Sequence, residues 1–236
     1  MFYLIGLGLD ENSLSKEAEE VLKRCKKVYL ENYTINFPYN FEKLEKEFKI
    51  KELDRGKVEN EEIVLEAKKE DVALLVYGSP LIATTHISLI LRAEKEGIKY
   101  RIMHNASVFD AVAETGLQNY KFGKTASLPS WKDKGKSLSF VKIIKGNLGI
   151  EAHSLILVDM HLHLKDALEE LEEAFKEEGI KVEKIVVCSR LGTGDSKILY
   201  GEIESLKKED LPLPICFIIP SKMHFLEEES LERFGV

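Results

Sequence analysis

The segment that most constrains the fold is an apolar run, residues 72–77, that meets the turn sequence Gly78-Ser79-Pro80. A continuous apolar run of this length is typical of a strand buried on both faces of a parallel sheet. Open parallel sheets bind ligands just beyond the carboxyl ends of their strands, so the segment from Gly78 to Thr85 is expected to line a pocket. An ordinary strand-to-helix turn explains the same residues, with Gly78 relieving strain, Pro80 fixing φ and Thr84 capping a helix.

Alternating strand-like and helix-like segments predict an α/β protein. In the first part of the chain the predicted strands are residues 2–7, 28–31, 72–77 and 100–104, and the predicted helices are residues 15–27, 59–70, 84–97 and 107–115. This order indicates a mostly parallel sheet with right-handed crossovers.

The pattern restarts after Gly116, which predicts a second domain. Its predicted strands are residues 124–128, 154–160, 184–189, 197–203 and 215–219, and its predicted helices are residues 137–145 and 164–178. The strand at 197–203 follows the previous one closely enough to be its hairpin partner, so this sheet is expected to be mixed. Since 236 residues exceed the usual domain length of roughly 100–150, we predict two α/β domains, residues 1–114 and 115–236.

Charge and the opening segment exclude several classes of protein. The formal net charge is −7 and no basic stripe carries interleaved aromatic residues, which disfavours nucleic-acid binding. The apolar opening stops at Gly6 and lacks a basic flank, so we predict no secretory signal and no membrane span, and expect a cytoplasmic protein. The three cysteines show no Cys-x-x-Cys spacing, which predicts neither a disulfide framework nor a zinc site.

Two clusters could carry chemistry but are incomplete. Gly6-Leu7-Gly8 follows the first predicted strand, as in a dinucleotide fingerprint, but the third glycine is absent and Asp10-Glu11 would repel a pyrophosphate. His161 and His163 share one face of a predicted extended segment near Asp159. A further convergent ligand is absent, so a structural or solvated pair is favoured and no metal is expected.

Two polar residues lie just after predicted strands of the second domain. His224 follows the final strand, at the place that corresponds to the loop after Tyr77 in the first domain. Ser189 ends a strand before a glycine-containing turn. A histidine that begins a helix is more often a cap than a ligand, and a hairpin turn explains Ser189, so ligand-binding and structural roles both stay open.

Five short sequence motifs occur along the chain in an order that is known from one protein family. They are Gly6-Leu7-Gly8-Leu9, Glu31-Asn32-Tyr33-Thr34, Gly78-Ser79-Pro80-Leu81-Ile82-Ala83-Thr84-Thr85-His86, Thr115-Gly116-Leu117-Gln118-Asn119-Tyr120-Lys121-Phe122-Gly123-Lys124-Thr125 and Ile219-Pro220-Ser221-Lys222-Met223-His224. Over nearly the whole chain this order resembles the diphthine synthases of the tetrapyrrole-methylase superfamily. The Gly-x-Pro turn indicates only the superfamily, whereas the Ala-Thr-Thr-His, Gln-x-Tyr-Lys-Phe-Gly and Lys-Met-His sequences indicate the family.

The resemblance implies two α/β lobes of tetrapyrrole-methylase type, with S-adenosylmethionine bound in the cleft between them, and a homodimer. It implies methylation of the amino group of a 3-amino-3-carboxypropyl side chain on a histidine of translation elongation factor 2, with S-adenosylhomocysteine as the second product. The family pattern implies eight donor contacts, each at or just beyond a predicted strand end: Leu9, Ser79, Ile82, Ser107, Val108, Val158, Ser189 and His224. No catalytic residue is assigned, since water could accept the proton of the amine.

Ser79 departs from the family pattern, which has Gly-Asp-Pro at this turn. A neutral hydroxyl therefore replaces a carboxylate expected beside the donor. This change keeps a non-catalytic S-adenosylmethionine-binding module as one alternative. The other is a methyltransferase for a tetrapyrrole or for RNA on the same scaffold, of which the acidic chain disfavours RNA.

Overall fold

Strands and helices alternate along the chain and build two separate sheets. The computed structural model describes residues 1–236, which divide into two units, Met1–Val108 and Phe109–Val236. The predicted boundary between residues 114 and 115 falls in the short helical stretch that begins at Val108. That boundary stays a prediction.

The first unit contains a five-stranded parallel sheet. Its strands are β1 Phe2–Gly6, β2 Lys27–Glu31, β3 Lys51–Leu53, β4 Val72–Val76 and β5 Tyr100–Met103. The spatial order is β3-β2-β4-β1-β5, and every neighbouring pair is parallel. The helices are α1 Lys16–Arg24, α2 Glu42–Phe48, α3 Arg55–Glu59, α4 Glu62–Glu66 and α5 Ile87–Lys95. The predicted parallel α/β arrangement is confirmed.

Apolar side chains on both faces explain why the central strands are apolar throughout. Leu4 of β1 packs in one core cluster with Leu89 of α5, whereas the next residue, Ile5, packs in another with Val21 of α1. Successive side chains of a strand point to opposite faces, so two helical layers require an unbroken apolar strand.

The second unit contains a mixed sheet. Its strands are β6 Ala126–Leu128, β7 Ser154–Val158, β8 Ile185–Ser189, β9 Lys197–Gly201 and β10 Ile215–Ile219. The spatial order is β6-β7-β10-β8-β9. Strands β6 and β7 are parallel and the other three pairs are antiparallel, which confirms the predicted mixed sheet and the β8–β9 hairpin.

Six α-helices and two short 3-10 helices, Val112–Thr115 and Asn119–Lys121, follow from residue 108 onward. The α-helices are α6 Val108–Ala111, α7 Trp131–Lys134, α8 Ser139–Gly149, α9 Leu164–Glu178, α10 Ile203–Leu206 and α11 Phe225–Glu232. Helix α9 packs an apolar stripe that includes Leu168, Leu171 and Phe175 into the hydrophobic core of the second unit. Across the whole chain, every helix is too short or too polar to cross a membrane.

The direction of β10 decides which loops of the second unit are neighbours. Ile219, at the end of β10, pairs with Ser154 at the start of β7, and Ile215 pairs with Ser189 at the end of β8. The segment after β10 therefore leaves the sheet at the edge opposite to the carboxyl ends of β7 and β8.

Several predicted boundaries are wrong, each for a local reason. The predicted helix at 59–70 is two short helices, since α3 ends at Glu59 and α4 begins at Glu62. Helix α5 starts at Ile87 rather than at residue 84, because residues 80–86 form a hydrogen-bonded loop. Strand β3 was not predicted, because its three residues include only one buried side chain, Leu53.

Candidate functional site

Three loops of the first unit meet at one edge of its sheet. Strand β1 lies between β4 and β5, so the carboxyl ends of three parallel strands are adjacent. The N–H of Gly8 donates to the carbonyl of Gly78 (3.0 Å) and the N–H of Gly78 donates to that of Gly8 (2.9 Å). The side chain of Asn105, just after β5, donates to the carbonyls of Gly6 (3.2 Å) and Ser13 (2.8 Å). These bonds fix the relative positions of the three loops.

Two glycines are required by this close approach. A Cβ on Gly6 would lie 2.5 Å from the carbonyl oxygen of Gly78 and 2.9 Å from Cδ of Pro80. Gly8 has a φ of +76°, and a Cβ there would lie 2.4 Å from Cβ of Ser13. Both contacts are shorter than real Cβ atoms make. The glycines that resemble a dinucleotide fingerprint therefore serve the packing of one loop on another.

Five of the eight predicted donor residues lie on these three loops. Leu9, Ser79 and Ser107 are buried, whereas Ile82 and Val108 are partly exposed. The Tyr77 hydroxyl donates to the carbonyl of Leu9 (3.3 Å), which joins the first two loops again. The set combines apolar side chains with two hydroxyls at the carboxyl ends of parallel strands, where such sheets bind ligands.

The Ala-Thr-Thr-His sequence shapes the loop after Pro80. The hydroxyl of Thr84 donates to the carbonyl of Pro80 (3.0 Å), and Nδ1–H of the buried His86 donates to the same oxygen (3.2 Å). Ala83 takes a left-handed conformation with a φ of 55°. The alternative interpretation of Thr84 as a helix cap is therefore wrong, because its hydroxyl closes the loop instead.

The three predicted donor residues of the second unit do not gather at one edge. Val158 and Ser189 end β7 and β8 and lie at the same edge, separated by β10. His224 follows β10 and lies at the opposite edge. The expectation that His224 occupies the place equivalent to the loop after Tyr77 is wrong, because β10 is antiparallel to its neighbours whereas β4 is parallel to its own.

Ser189 and His224 both have structural partners. Ser189 is fully buried, and its hydroxyl donates to the carbonyl of Pro212 (2.5 Å). His224 is the N-cap of α11, where its Nδ1 accepts from the N–H of Leu226 (3.3 Å). The capping role left open by the sequence is present in the structure, and the imidazole of His224 stays exposed at the surface.

A buried carboxylate joins two of the sequences that carry the family resemblance. Glu227 is completely buried, and it accepts the N–H groups of Gln118 (2.9 Å) and His224 (2.7 Å). It also forms an ion pair with Lys121 and accepts Nε2–H of His153 (3.1 Å). Glu227 therefore connects the segment at 118–123 with the segment at 219–224.

Further bonds around Glu227 close the same connection. Lys121 also donates to the carbonyl of Lys222 (2.8 Å), and the N–H of Ser221 donates to Nδ1 of His153 (2.9 Å). The backbone N–H of His153 donates to the carbonyl of Lys121 (3.0 Å), and its carbonyl accepts the N–H of Gly123 (2.9 Å). The two segments, about a hundred residues apart in sequence, are joined in one hydrogen-bonded network.

The charges of this cluster follow from its contacts. Burial alone would raise the pKa of Glu227, but the two backbone N–H groups, Lys121 and His153 outweigh it and lower the pKa to about 2. Burial lowers the pKa of His153 below its usual value, although Glu227 acts in the other direction. Glu227 is therefore ionised and His153 neutral at physiological pH.

Three residues of these networks were not predicted from the sequence: Glu227, His153 and Asn105. A glutamate three residues after a capping residue is the signal of a capping box, so its spacing from His224 could have indicated Glu227. Asn105 directly follows a predicted strand, which is a weaker signal. His153 carries no local signal, because its partners come from distant segments.

The two histidines considered for a metal site lie in different local structures. Strand β7 ends at Val158, and the carboxylate of Asp159 accepts the N–H of His161 (3.1 Å) and pairs with Lys134. His163 is the N-cap of α9. The predicted extended segment with both histidines on one face is therefore wrong. No group of three or more His, Cys, Asp or Glu side chains is arranged to hold a metal ion.

A groove of about 740 Å³ lies beside these histidines. It is lined by Ser130, Lys132, Asp133, His161, Leu162, His163, Asp166, Glu169, Glu170 and Glu173. Half of the lining residues are acidic, and none of the eight predicted donor residues is among them. The groove is therefore separate from the residues that the family pattern assigns to the donor.

Comparison with known proteins identifies relatives over the whole chain. Residues 1–207 match the family model for tetrapyrrole (corrin/porphyrin) methylases. The chain is 36% identical to the diphthine methyl ester synthase of Homo sapiens, over 100% of this chain and 95% of that protein. It is 37% identical to the diphthine synthase of Methanocaldococcus jannaschii, over 98% of each. A crystal structure of diphthine synthase matches with a TM-score of 0.90 at 34% identity, covering 99% of this chain and 95% of that chain.

Replacement of Glu227 by Gln is expected to lower the free energy of unfolding by about 3–5 kcal/mol, since it leaves Lys121 without its buried anion. The wild-type contribution of Glu227 is complete above its ordinary pKa of 4.5 and is lost as the pH falls toward about 2. His153, with a lowered pKa, adds stability that is complete above 6.5 and decreases as the pH falls. Urea unfolding between pH 7 and 3 measures both effects.

The matched control is Glu228→Gln, because Glu228 is the exposed neighbour of Glu227 on α11. Its unfolding free energy should stay within about 0.5 kcal/mol of wild type. Equal stability of the two variants at pH 7 would show that the buried carboxylate does not hold the segments together.

Proposed function

We propose diphthine synthase activity for this chain, which belongs to the tetrapyrrole methylase family. It transfers methyl groups from S-adenosylmethionine to the amino group of a 3-amino-3-carboxypropyl side chain on a histidine of translation elongation factor 2. The observation that carries the proposal is the match of the chain, over 98% or more of its length, to relatives named for this activity. The contacts of Glu227 support it, because they join two of the sequences on which the family resemblance rests.

The residues at the edge of the first sheet fit the proposed donor. S-adenosylmethionine, when bound, supplies a reactive methyl group on a sulfonium. The side chains of Leu9, Ile82 and Val108 offer apolar surface for the adenine, and the hydroxyls of Ser79 and Ser107 can orient polar groups. The loops are already fixed by backbone hydrogen bonds, so little entropy is lost when they hold a ligand.

The family pattern adds Val158, Ser189 and His224 of the second unit to the donor residues. Because His224 lies at the other edge of its sheet, its contribution is separable from those of Val158 and Ser189. The imidazole of His224 caps α11 through Nδ1, so Nε2–H is the group that a ligand can use.

Positioning is the main catalytic task in the proposed reaction. The amine must be unprotonated and in line with the methyl group, and such alignment can lower a barrier by about 7–11 kcal/mol in ideal cases. No side chain is assigned as a general base, since water can accept the proton released after each transfer. A role in modifying a translation factor supports the expected location in the cytoplasm.

Incubation with S-adenosylmethionine and elongation factor 2 that carries the 3-amino-3-carboxypropyl group tests the function. We expect the mass of the factor to rise by multiples of one methyl group. Factor without the added side chain is the control and should keep its mass. Donor binding without any mass change would instead support the non-catalytic module that Ser79 keeps open.

Donor affinity tests Ser79. Ser79→Asp restores the family carboxylate, and hydrogen bonds to charged groups contribute roughly 1.5–3 kcal/mol against about 1 for neutral pairs. We expect Ser79→Asp to tighten binding of S-adenosylmethionine by about 1–2 kcal/mol and Ser79→Ala to weaken it modestly. Calorimetry that gives the wild-type dissociation constant for both variants would make Ser79 a turn residue only.

The proposal includes a homodimer. Ile87 and Leu91 lie one turn apart on α5 and are 51% and 59% exposed, which leaves an apolar stripe on that helix. Light scattering at micromolar concentration is expected to give twice the mass of the chain, and Leu91→Lys is expected to shift it toward the monomer. The control is Ile150→Lys, which changes an exposed apolar residue of the second unit. A monomeric wild type would contradict the proposed assembly.

A further inference from the structure

Aromatic side chains cluster beside the donor loops of the first unit. The ring of Phe37 lies 5.7 Å from that of Tyr39 and 5.5 Å from that of Tyr77, nearly perpendicular to both. The rings of Tyr39 and Tyr77 lie 6.3 Å apart with an angle of 37° between them. All three side chains are only partly buried, so part of the cluster is open to solvent. The donor site proposed above uses none of these rings.

The hydroxyl of Tyr39 distinguishes this cluster from ordinary core packing. That oxygen is buried and has no hydrogen-bond partner in the chain. A buried polar group without a partner destabilises a fold, and such groups are rare in native proteins. The position therefore points to a polar group supplied by a ligand.

The surroundings of Tyr39 favour a cation. Burial, Tyr77 and the carboxylates of Asp10 and Glu11 all raise the pKa of Tyr39, so its hydroxyl stays protonated. The same carboxylates create a negative potential around the rings. Aromatic faces attract ammonium groups, and quaternary ammonium ligands are commonly recognised by clustered aromatic side chains.

The cluster adjoins the proposed donor residues through the chain itself. Tyr77 immediately precedes Gly78 and Ser79, and its hydroxyl donates to the carbonyl of Leu9. Asp10 directly follows Leu9. A group held by these rings is therefore close to the loops that hold the donor.

We propose that Phe37, Tyr39 and Tyr77 bind the positively charged, methylated amino group of the protein substrate. This inference rests on the proposed function and identifies residues that recognise the acceptor. During transfer an N–C bond forms as the S–C bond breaks, and the positive charge moves from sulfur to nitrogen. The rings and the nearby carboxylates stabilise that charge, and the amine then releases a proton to water if it still carries one. Retention of the methylated amine at the cluster until its proton has left for water favours addition of further methyl groups.

Titration with choline tests the binding directly, independently of enzyme activity. In protein labelled with ¹³C-tyrosine, we expect choline to shift the ring signals of Tyr39 and Tyr77. The neutral isostere 3,3-dimethylbutan-1-ol has the same shape without the charge and should shift neither. Tyr29 and Tyr100 lie outside the cluster and donate hydrogen bonds to Glu66 and Glu94, so their ring signals are internal controls. The inference is wrong if choline shifts no signal at this cluster or if both compounds shift it equally.

Kinetics of the wild type and two variants then test the role in the reaction. For Tyr39→Leu we expect at least a fivefold higher KM for elongation factor 2, an unchanged dissociation constant for S-adenosylmethionine and product with fewer methyl groups. Tyr39→Phe keeps the ring but lacks the hydroxyl, so it should recover only part of the loss. Tyr100→Leu, a tyrosine change away from the cluster, should behave as wild type.

The outcomes separate the two proposals. If the wild type transfers no methyl group, the proposed function fails, and the choline titration alone decides whether the cluster binds cations. If the wild type is active but Tyr39→Leu keeps the wild-type KM and number of methyl groups, the recognition role of the cluster is wrong and the proposed function stands.

Discussion

The ionised, fully buried carboxylate of Glu227 is the interaction on which the second unit depends. A buried charge is tolerated only when hydrogen bonds and an opposite charge compensate its lost hydration, and here Lys121, His153 and two backbone N–H groups do so. Lys121 and the N–H groups of Gln118 and His224 belong to two segments that carry the family resemblance. His153 lies outside those segments and contacts both of them. The conformation of His224 is set in the same place, because its own N–H is one of the groups bound.

Strand direction determines what each sheet can present to a ligand. In the first unit all strands are parallel, so the loops that carry Leu9, Ser79 and Ser107 meet at one edge and are tied together by Asn105. In the second unit β10 is antiparallel, and His224 is directed away from Val158 and Ser189. The first unit thus brings its predicted donor residues to one edge, whereas those of the second unit lie at two separate edges.

Much of the fold could be predicted because apolar periodicity is a local property. The strand that ends at Val76 and the helix that begins at Leu164 both follow from it. The direction of β10 could not be predicted, since pairing between strands distant in sequence leaves no local pattern. The spacing of His224 and Glu227 is a local capping signal, but the contacts of Glu227 with Lys121 and His153 depend on segments distant in sequence. The alternative role of Thr84 as a helix cap failed because tertiary contacts use its hydroxyl in a loop.

Amide hydrogen exchange measures the role of Glu227 most directly. The N–H groups of Gln118 and His224 bind different oxygens of this one carboxylate. If Glu227 joins the two segments, Glu227→Gln should accelerate exchange of both amides together, by about tenfold or more, whereas Glu228→Gln should change neither. Unchanged protection of both amides in Glu227→Gln, or loss of protection at only one of them, would contradict the role of Glu227 as the link between the family-specific segments.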